Sequence, residues 1–230
     1  MSYLLYCIAA TAPDPALPLP LEGVAGGRVQ WHDYGELSAA ASELVRPPPA
    51  DDVAQLLRYS QVIATLYQAR TVIPLRYGCA FAREPQIGDW LARRRIHYKT
   101  LLAHLDGCNE MSLRLRLLSE PPQAESSPLA ARLPGHAYLA GLQRLHERRE
   151  QRRRWLDAEG RRYRTAVGNL ARDWRQEYGA DDNVMALHGL IPHAAMAEFH
   201  VVCHAVTAND SIAVSLGGPW PPYNFVLDGE

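Results

Sequence analysis

The placement of proline limits what this chain can fold into more than any other feature of its sequence. Proline has no backbone N–H to donate and fixes φ near −65°, so it breaks a helix interior and stays out of a central strand. Most of the 17 prolines gather at 13–20, 47–49, 121–128 and 219–222, and regular structure has to be built between those points. Residues 3–9, with Tyr3 and Tyr6 flanking Leu4-Leu5, read as a buried strand cut off by Pro13. Residues 28–32 and 36–41 flank the turn Asp33-Tyr34-Gly35 and form a candidate hairpin, and Gly23-Val24-Ala25-Gly26-Gly27 before it reads as a flexible link. After the triple proline, an acidic start at Asp51 opens a helix with Val53, Leu56, Leu57, Ile63, Leu66 and Tyr67 on its apolar stripe, ending near Ala69. Pro74 cannot donate to a ladder, so the short segment 71–76 belongs at a sheet edge or on a bulge. Ile87, Trp90, Leu91, His97, Leu101, Leu102 and Leu105 mark one further helix, closed by Gly107.

Beyond Gly107 the pattern changes to strict alternation. Met111, Leu113, Leu115 and Leu117 face one way and Ser112, Arg114 and Arg116 the other, as in a half-buried strand. Residues 121–128 are polar and proline-rich, and disorder is expected there. A helical tract then runs from Pro134 to about Tyr178. Tyr138, Leu142 and Leu145 form an early apolar stripe, and Leu156, Tyr163, Val167, Leu170 and Trp174 a late one. Residues 147–154 between them have no apolar side, so this section projects into solvent or breaks the helix. A strand at 183–191, a helix at 194–208 and a strand at 211–216 complete the order strand, long helix, strand, helix, strand. The expected fold is therefore α+β in two domains. Residues 1–107 form an N-terminal α+β domain. Residues 108–230 form a modified ferredoxin-like α/β sandwich with a long Arg-rich helix and a proline/aromatic C-terminal arm.

Composition narrows the function. With 47% hydrophobic and 21% charged residues the chain can bury a sizeable core. Lys plus Arg number 24 and Asp plus Glu 25, so no overall field draws in nucleic acid or anionic lipid. Cys7, Cys79, Cys108 and Cys203 form no CxxC pair and read as buried thiols of a reducing cytosol. The apolar N-terminus lacks a leading Lys or Arg, which fits a first strand and not a signal peptide, and no apolar run approaches the roughly 20 residues that span a bilayer.

The chemistry-bearing candidates are few. His200 and His204 lie four apart on one helix face, with His193 and Glu198 nearby, but the order E-x-H-x-x-x-H is not that of a zinc protease. The expectation is ordinary histidines, no metal and no cofactor, with a metal-dependent enzyme using His193, His200 and His204 as one alternative. No nucleophile elbow and no phosphate-binding glycine loop is present. Arg148, Arg149, Arg152, Arg153, Arg154, Arg161, Arg162 and Arg164 could serve an RNA-binding module, the other alternative. Glu147, Glu150, Asp157 and Glu159 at helical spacing favour a solvated, ion-paired face instead.

The ending Gly217-Gly218-Pro219-Trp220-Pro221-Pro222-Tyr223-Asn224-Phe225 is the most unusual stretch. Its prolines make a stiff extended arm, and Trp220, Tyr223 and Phe225 have large faces either to strap onto the body or to present to a partner. This arm resembles the G-P-W-P-P-Y-x-F ending of the gas vesicle protein GvpL/GvpF family. Tyr3-Leu4-Leu5-Tyr6-Cys7-Ile8 is similar to that family's Y-x-Y-x-I first strand. Ile73-Pro74-Leu75-Arg76-Tyr77-Gly78 is similar to V-L-P-L-R-F-G, with Tyr77 in place of Phe, and Gly135-His136-Ala137-Tyr138-Leu139 to G-x-x-Y-L. The resemblance implies a cytoplasmic accessory protein associated with gas vesicles, without catalysis or cofactor. It also implies two α+β domains with a ferredoxin-like second half. The implied partners are the small hydrophobic shell protein and other accessory proteins, and not nucleic acid or membrane. Arg76, Tyr77, Trp220, Tyr223 and Phe225 are the residues expected to meet them.

Overall fold

The computed structural model describes residues 2–12, 21–45, 51–120, 134–180, 182–206 and 209–226. The chain divides into two units, Met1–Glu110 with Pro219–Glu230, and Met111–Gly218. The sequence reading put the boundary at Gly107 and kept the arm with the second half. The arm instead belongs to the first unit, because its apolar residues find their core there.

The first unit is built on β1 (Ser2–Ala10), whose residues Leu4 to Ala9 are all buried. Such a run marks a strand covered on both faces. β2 (Val29–Tyr34) and β3 (Leu37–Leu44) form the expected hairpin, turning at Gly35 with φ +71°. β4 (Ile73–Pro74) and β5 (Ala80–Phe81) are short strands that both pair with β1, giving the order β2-β3-β1-β4 with β5 beside β1. Pro74 thus sits on an edge strand. The run from Gly23 to Gly27 is an ordered turn and not a flexible link: Val24 is buried and its N–H donates to the Tyr6 hydroxyl at 2.9 Å. A Cβ on Gly23 would lie 2.3 Å from that oxygen, so the close approach needs glycine.

Helix α1 (Val53–Ala69) starts at Asp52, whose side chain accepts from the N–H groups of Ala54 and Gln55 at 3.0 and 3.2 Å. It buries Tyr59, Val62, Ile63 and Leu66. Val53 and Leu57, expected on the buried stripe, lie across the helix from these residues and are exposed. The single helix expected over 87–105 is two, α2 (Glu84–Arg93) and α3 (Arg95–Leu105), parted at Arg94 with φ −115° and ψ 16°. Ile87, Leu91, Tyr98, Leu102 and Leu105 keep helical spacing across the break, so periodicity alone could not reveal it.

The second unit runs β6 (Cys108–Leu117), α4 (Pro134–Val167), β7 (Asp173–Tyr178), β8 (Val184–Pro192), α5 (Met196–Ala205) and β9 (Ile212–Trp220), and the division between units falls within β6 and β9. The sheet order β7-β8-β6-β9 is that of the ferredoxin-like β-α-β-β-α-β sandwich. One strand was not foreseen. The long helix ends at Val167, where Gly168 adopts φ +55°, and residues 173–178 form β7, with Trp174 opposite Gly189 of β8. Trp174 is therefore a strand residue and not part of the helix stripe.

Helix α4 continues unbroken through 147–154. Its late residues Leu156, Tyr163 and Val167 pack with Met111, Leu113, Leu115, Met185, Leu187 and Phe199, whereas Leu142 and Leu145 are exposed. The polar middle is tied down by ion pairs: Arg153 to Asp182 at 2.8 Å, Arg149 to the same carboxylate at 3.7 Å, and Arg152 to Glu120. The expected disorder at 121–128 and the side chain of Tyr138 lie outside the described residues, and the helix expected to reach Ala208 stops at Ala205, where Val206 turns to extended backbone.

Candidate binding pocket

Three elements of the first unit enclose an apolar pocket of about 300 Å³. Helix α1 contributes Leu56, Tyr59 and Ser60, the segment after β4 contributes Pro74 to Tyr77, and the C-terminal arm contributes Tyr223, Asn224 and Val226. Tyr59 organises the floor. Its hydroxyl lies 2.8 Å from the Leu5 carbonyl, 3.0 Å from that of Leu75 and 3.1 Å from that of Arg76, so the turn after β4 is gathered onto one buried phenol. The ring stacks on Tyr6 at 5.0 Å between centroids and meets Tyr77 edge-on at 5.2 Å.

The arm is held from below. The backbone N–H of Asn224 donates to Glu110 Oε2 at 2.8 Å, and its side-chain amide to Glu110 Oε1 at 2.6 Å. Glu110 is itself buried, and these charge-assisted bonds keep its carboxylate solvated by protein. Phe225 is 3% exposed and Pro221 and Pro222 are buried, so this part of the arm is a strap. Of the five residues expected to meet partners, Arg76, Tyr77 and Tyr223 come together at the pocket, with Arg76 exposed. Phe225 anchors the arm, and Trp220, 52% exposed, does not line the pocket. Sequence reasoning missed the wall provided by α1 and the role of Glu110. Glu110 did leave a signal, as an acid at the start of an otherwise Leu- and Arg-patterned strand.

The electrostatics suit binding more than proton transfer. Burial pushes the Tyr59 phenol well above its ordinary range, raises that of Tyr77, and pushes Tyr223 up to about 12. All three are neutral near pH 7, and none is poised to exchange a proton there. Among the described residues the buried Tyr77 hydroxyl has no hydrogen-bond partner.

The alternative sites do not assemble. His193 and His204 are exposed and His200 is half-buried, and among the described residues no group of three His, Cys, Asp or Glu side chains is placed to hold a metal. Cys203 and His204 line a smaller pocket of about 190 Å³, where burial pushes the thiol up to about 11. Besides the pairs with Asp182 and Glu120, Arg162 bonds Glu159 at 2.7 Å and Arg164 bonds Gln176 at 2.8 Å, so much of the arginine run is engaged within the chain. Among the described residues no helix is long and apolar enough to cross a membrane.

What the fold and pocket define is an α+β protein of two antiparallel sheets, the second ferredoxin-like, with two motif segments far apart in sequence meeting at one apolar pocket. The chain belongs to the gas vesicle synthesis protein GvpL/GvpF family, whose model matches residues 2–227, and this membership supports a role in gas vesicle assembly. It is 23% identical over 227 residues to gas vesicle protein F2 of Halobacterium salinarum, covering 96% of this chain and 91% of that one. Identity to gas vesicle protein L2 of the same organism is 25% over 255 residues, covering 97% and 91%. Crystal structures of GvpF share the fold. That from Microcystis aeruginosa superposes with a TM-score of 0.77 at 19% identity, covering 98% of each chain. That from Anabaena sp. PCC7120 gives 0.72 at 17%, covering 100% of this chain and 97% of the other.

Proposed function

We propose that this chain is a non-catalytic, cytoplasmic accessory protein of gas vesicle assembly, associated with gas vesicles, that binds the small hydrophobic shell protein and other accessory proteins. One observation carries the reading: the Pro74 to Tyr77 segment and the C-terminal arm, both family-like in sequence, wall the same apolar pocket. A subunit that assembles through apolar surface must be kept from pairing with itself before use, and a concave apolar site is the complement of such a surface. Exposed Val53 and Leu57 on the same helix as Leu56 and Ser60 extend the apolar area.

The test is co-purification of the shell protein with the tagged chain. Parent protein retains it; Tyr77→Ala with Leu56→Ala weakens retention at least roughly tenfold, the scale of an interface hot spot. Absence of shell protein from the parent's eluate would sink the reading. Equal retention by parent and variant would move the contact away from this pocket.

A further inference from the structure

Helix α4 carries one face through two environments. Leu142, Leu145, Arg149, Arg153, Leu156 and Gly160 follow one another at steps of three or four, so they share a face. From Leu156 onward that face is buried in the core of the second unit, and at Arg149 and Arg153 it meets the Asp182 carboxylate. Towards the N-terminus it opens to solvent: Leu142 and Leu145 are 47% and 49% exposed, and Leu139, one step further, 64%. A helix of 34 residues is about 50 Å long, whereas the strands of its sheet, of 6 to 10 residues, span roughly 20–34 Å, so its first turns run past the sheet. Charge changes along the same length. Residues 134–143 contain no Asp, Glu, Lys or Arg, whereas residues 144–154 contain six arginines against Glu147 and Glu150. Asp182 and Glu120 offset only part of this excess. Arg148 and Arg154 are exposed, and among the described residues neither has a carboxylate within ion-pair distance.

We propose that this exposed stretch of α4, from Leu139 to Arg154, is a docking surface for an acidic amphipathic helix of another protein. The apolar side of that helix lies on the three leucines, and its Asp and Glu side chains reach the arginines that follow them. Charge selects this occupant over the alternatives. A second copy laid antiparallel about Leu142 sets Arg148 and Arg149 against residues 135–136, which offer no carboxylate, and one laid parallel sets arginine against arginine. Nucleic acid would engage the arginines and leave the leucines in water. A bilayer surface takes helices whose basic and apolar faces are opposed, whereas Arg149 and Arg153 share the leucine face and are held by Asp182. The surface belongs to the second unit and the apolar pocket to the first, so the proposal does not rest on what that pocket binds.

The probe is a labelled synthetic peptide with leucine at heptad positions a and d and glutamate at e and g, titrated with the full-length chain and followed by fluorescence anisotropy. Saturable binding is expected. It should weaken at least roughly tenfold, the scale of an interface hot spot, for Leu142→Ser with Leu145→Ser, whose helix content is checked by circular dichroism. Lysine in place of the peptide's glutamates should weaken it as much, a comparison that needs no variant of the chain. Absence of saturable binding by the glutamate peptide overturns the proposal, as does equal binding by the serine variant or by the lysine peptide. A dimer of the parent chain in light scattering that the two serines dissolve would overturn it in favour of a second copy. Mixed RNA or anionic vesicles that bind more tightly than the peptide, and lose that binding with the same two serines, would overturn it in favour of nucleic acid or lipid.

Discussion

At the residue scale Tyr6, Tyr59 and Tyr223 all fill apolar volume, and Tyr6 and Tyr59 also satisfy backbone polar groups, which no aliphatic side chain could do. Tyr6 accepts from the Val24 N–H and shares a hydroxyl–hydroxyl hydrogen bond with Ser42, both at 2.9 Å, and Tyr59 meets the carbonyls gathered around it. Burial raises all three pKa values, with Tyr223 pushed up to about 12. The folded chain therefore favours the neutral phenol, and stability from this source is complete below the ordinary tyrosine pKa of about 10. It declines as the pH climbs from there through the folded-state values. Burial also raises the thiols of Cys79 and Cys203, each to about 11, so Tm should begin to fall near the ordinary thiol pKa of about 8.5 and fall more steeply between about pH 10 and 12; a chain whose Tm is unchanged at pH 11 would refute the argument. Tyr6 was legible as part of the first strand and Tyr223 as an aromatic of the arm, whereas Tyr59 was not among the residues expected on the apolar stripe of its helix. The hydroxyl partners were not legible, because Tyr59 reaches carbonyls that lie 54 and 16 residues away in sequence.

At the scale of elements, the packing of α4 on its sheet depends on one missing side chain. A Cβ on Gly160 would approach Met185 Cε to 2.6 Å and Leu187 Cδ1 to 3.1 Å, so helix and strand β8 touch almost backbone to side chain there. Gly160→Val should cost about 1–3 kcal/mol by overpacking despite valine's better helix propensity, measured by urea denaturation. An unchanged denaturation midpoint would mean that the Met185 methyl, the far end of a flexible side chain, swings aside without cost. The α4 face also explains which elements the sequence revealed. Leu156, Tyr163 and Val167 have the spacing of a buried stripe and are buried; Leu142 and Leu145 have the same spacing and are not, since periodicity reports a face and not what covers it. β7 escaped notice because Leu170 and Trp174 prolong the helical spacing into a strand. Only Gly168 marked the stop.

For the molecule as a whole, the arm decides where one unit is completed. Phe225 and Trp220 lie five positions apart yet should behave oppositely. Phe225→Ala, emptying a buried site, should lower unfolding free energy by about 3–5 kcal/mol, whereas Trp220→Ala should stay within about 0.5 kcal/mol. Tryptophan fluorescence during chemical denaturation would measure both for the first unit, and equal costs would contradict the assignment of one as strap and the other as surface. The α+β class and the ferredoxin-like second half were legible from strand and helix order. Membership of the arm in the first unit was not, because the Glu110 to Asn224 bond joins residues 114 positions apart and no local pattern encodes it. A polypeptide leaves the ribosome from its N-terminus, so β1, β3 and α1 are in place long before residues 219–226 exist outside the exit tunnel. Until those residues have left the tunnel, the first unit lacks its last wall. The pocket that motif residues define is thus closed only after the whole second unit has been synthesised.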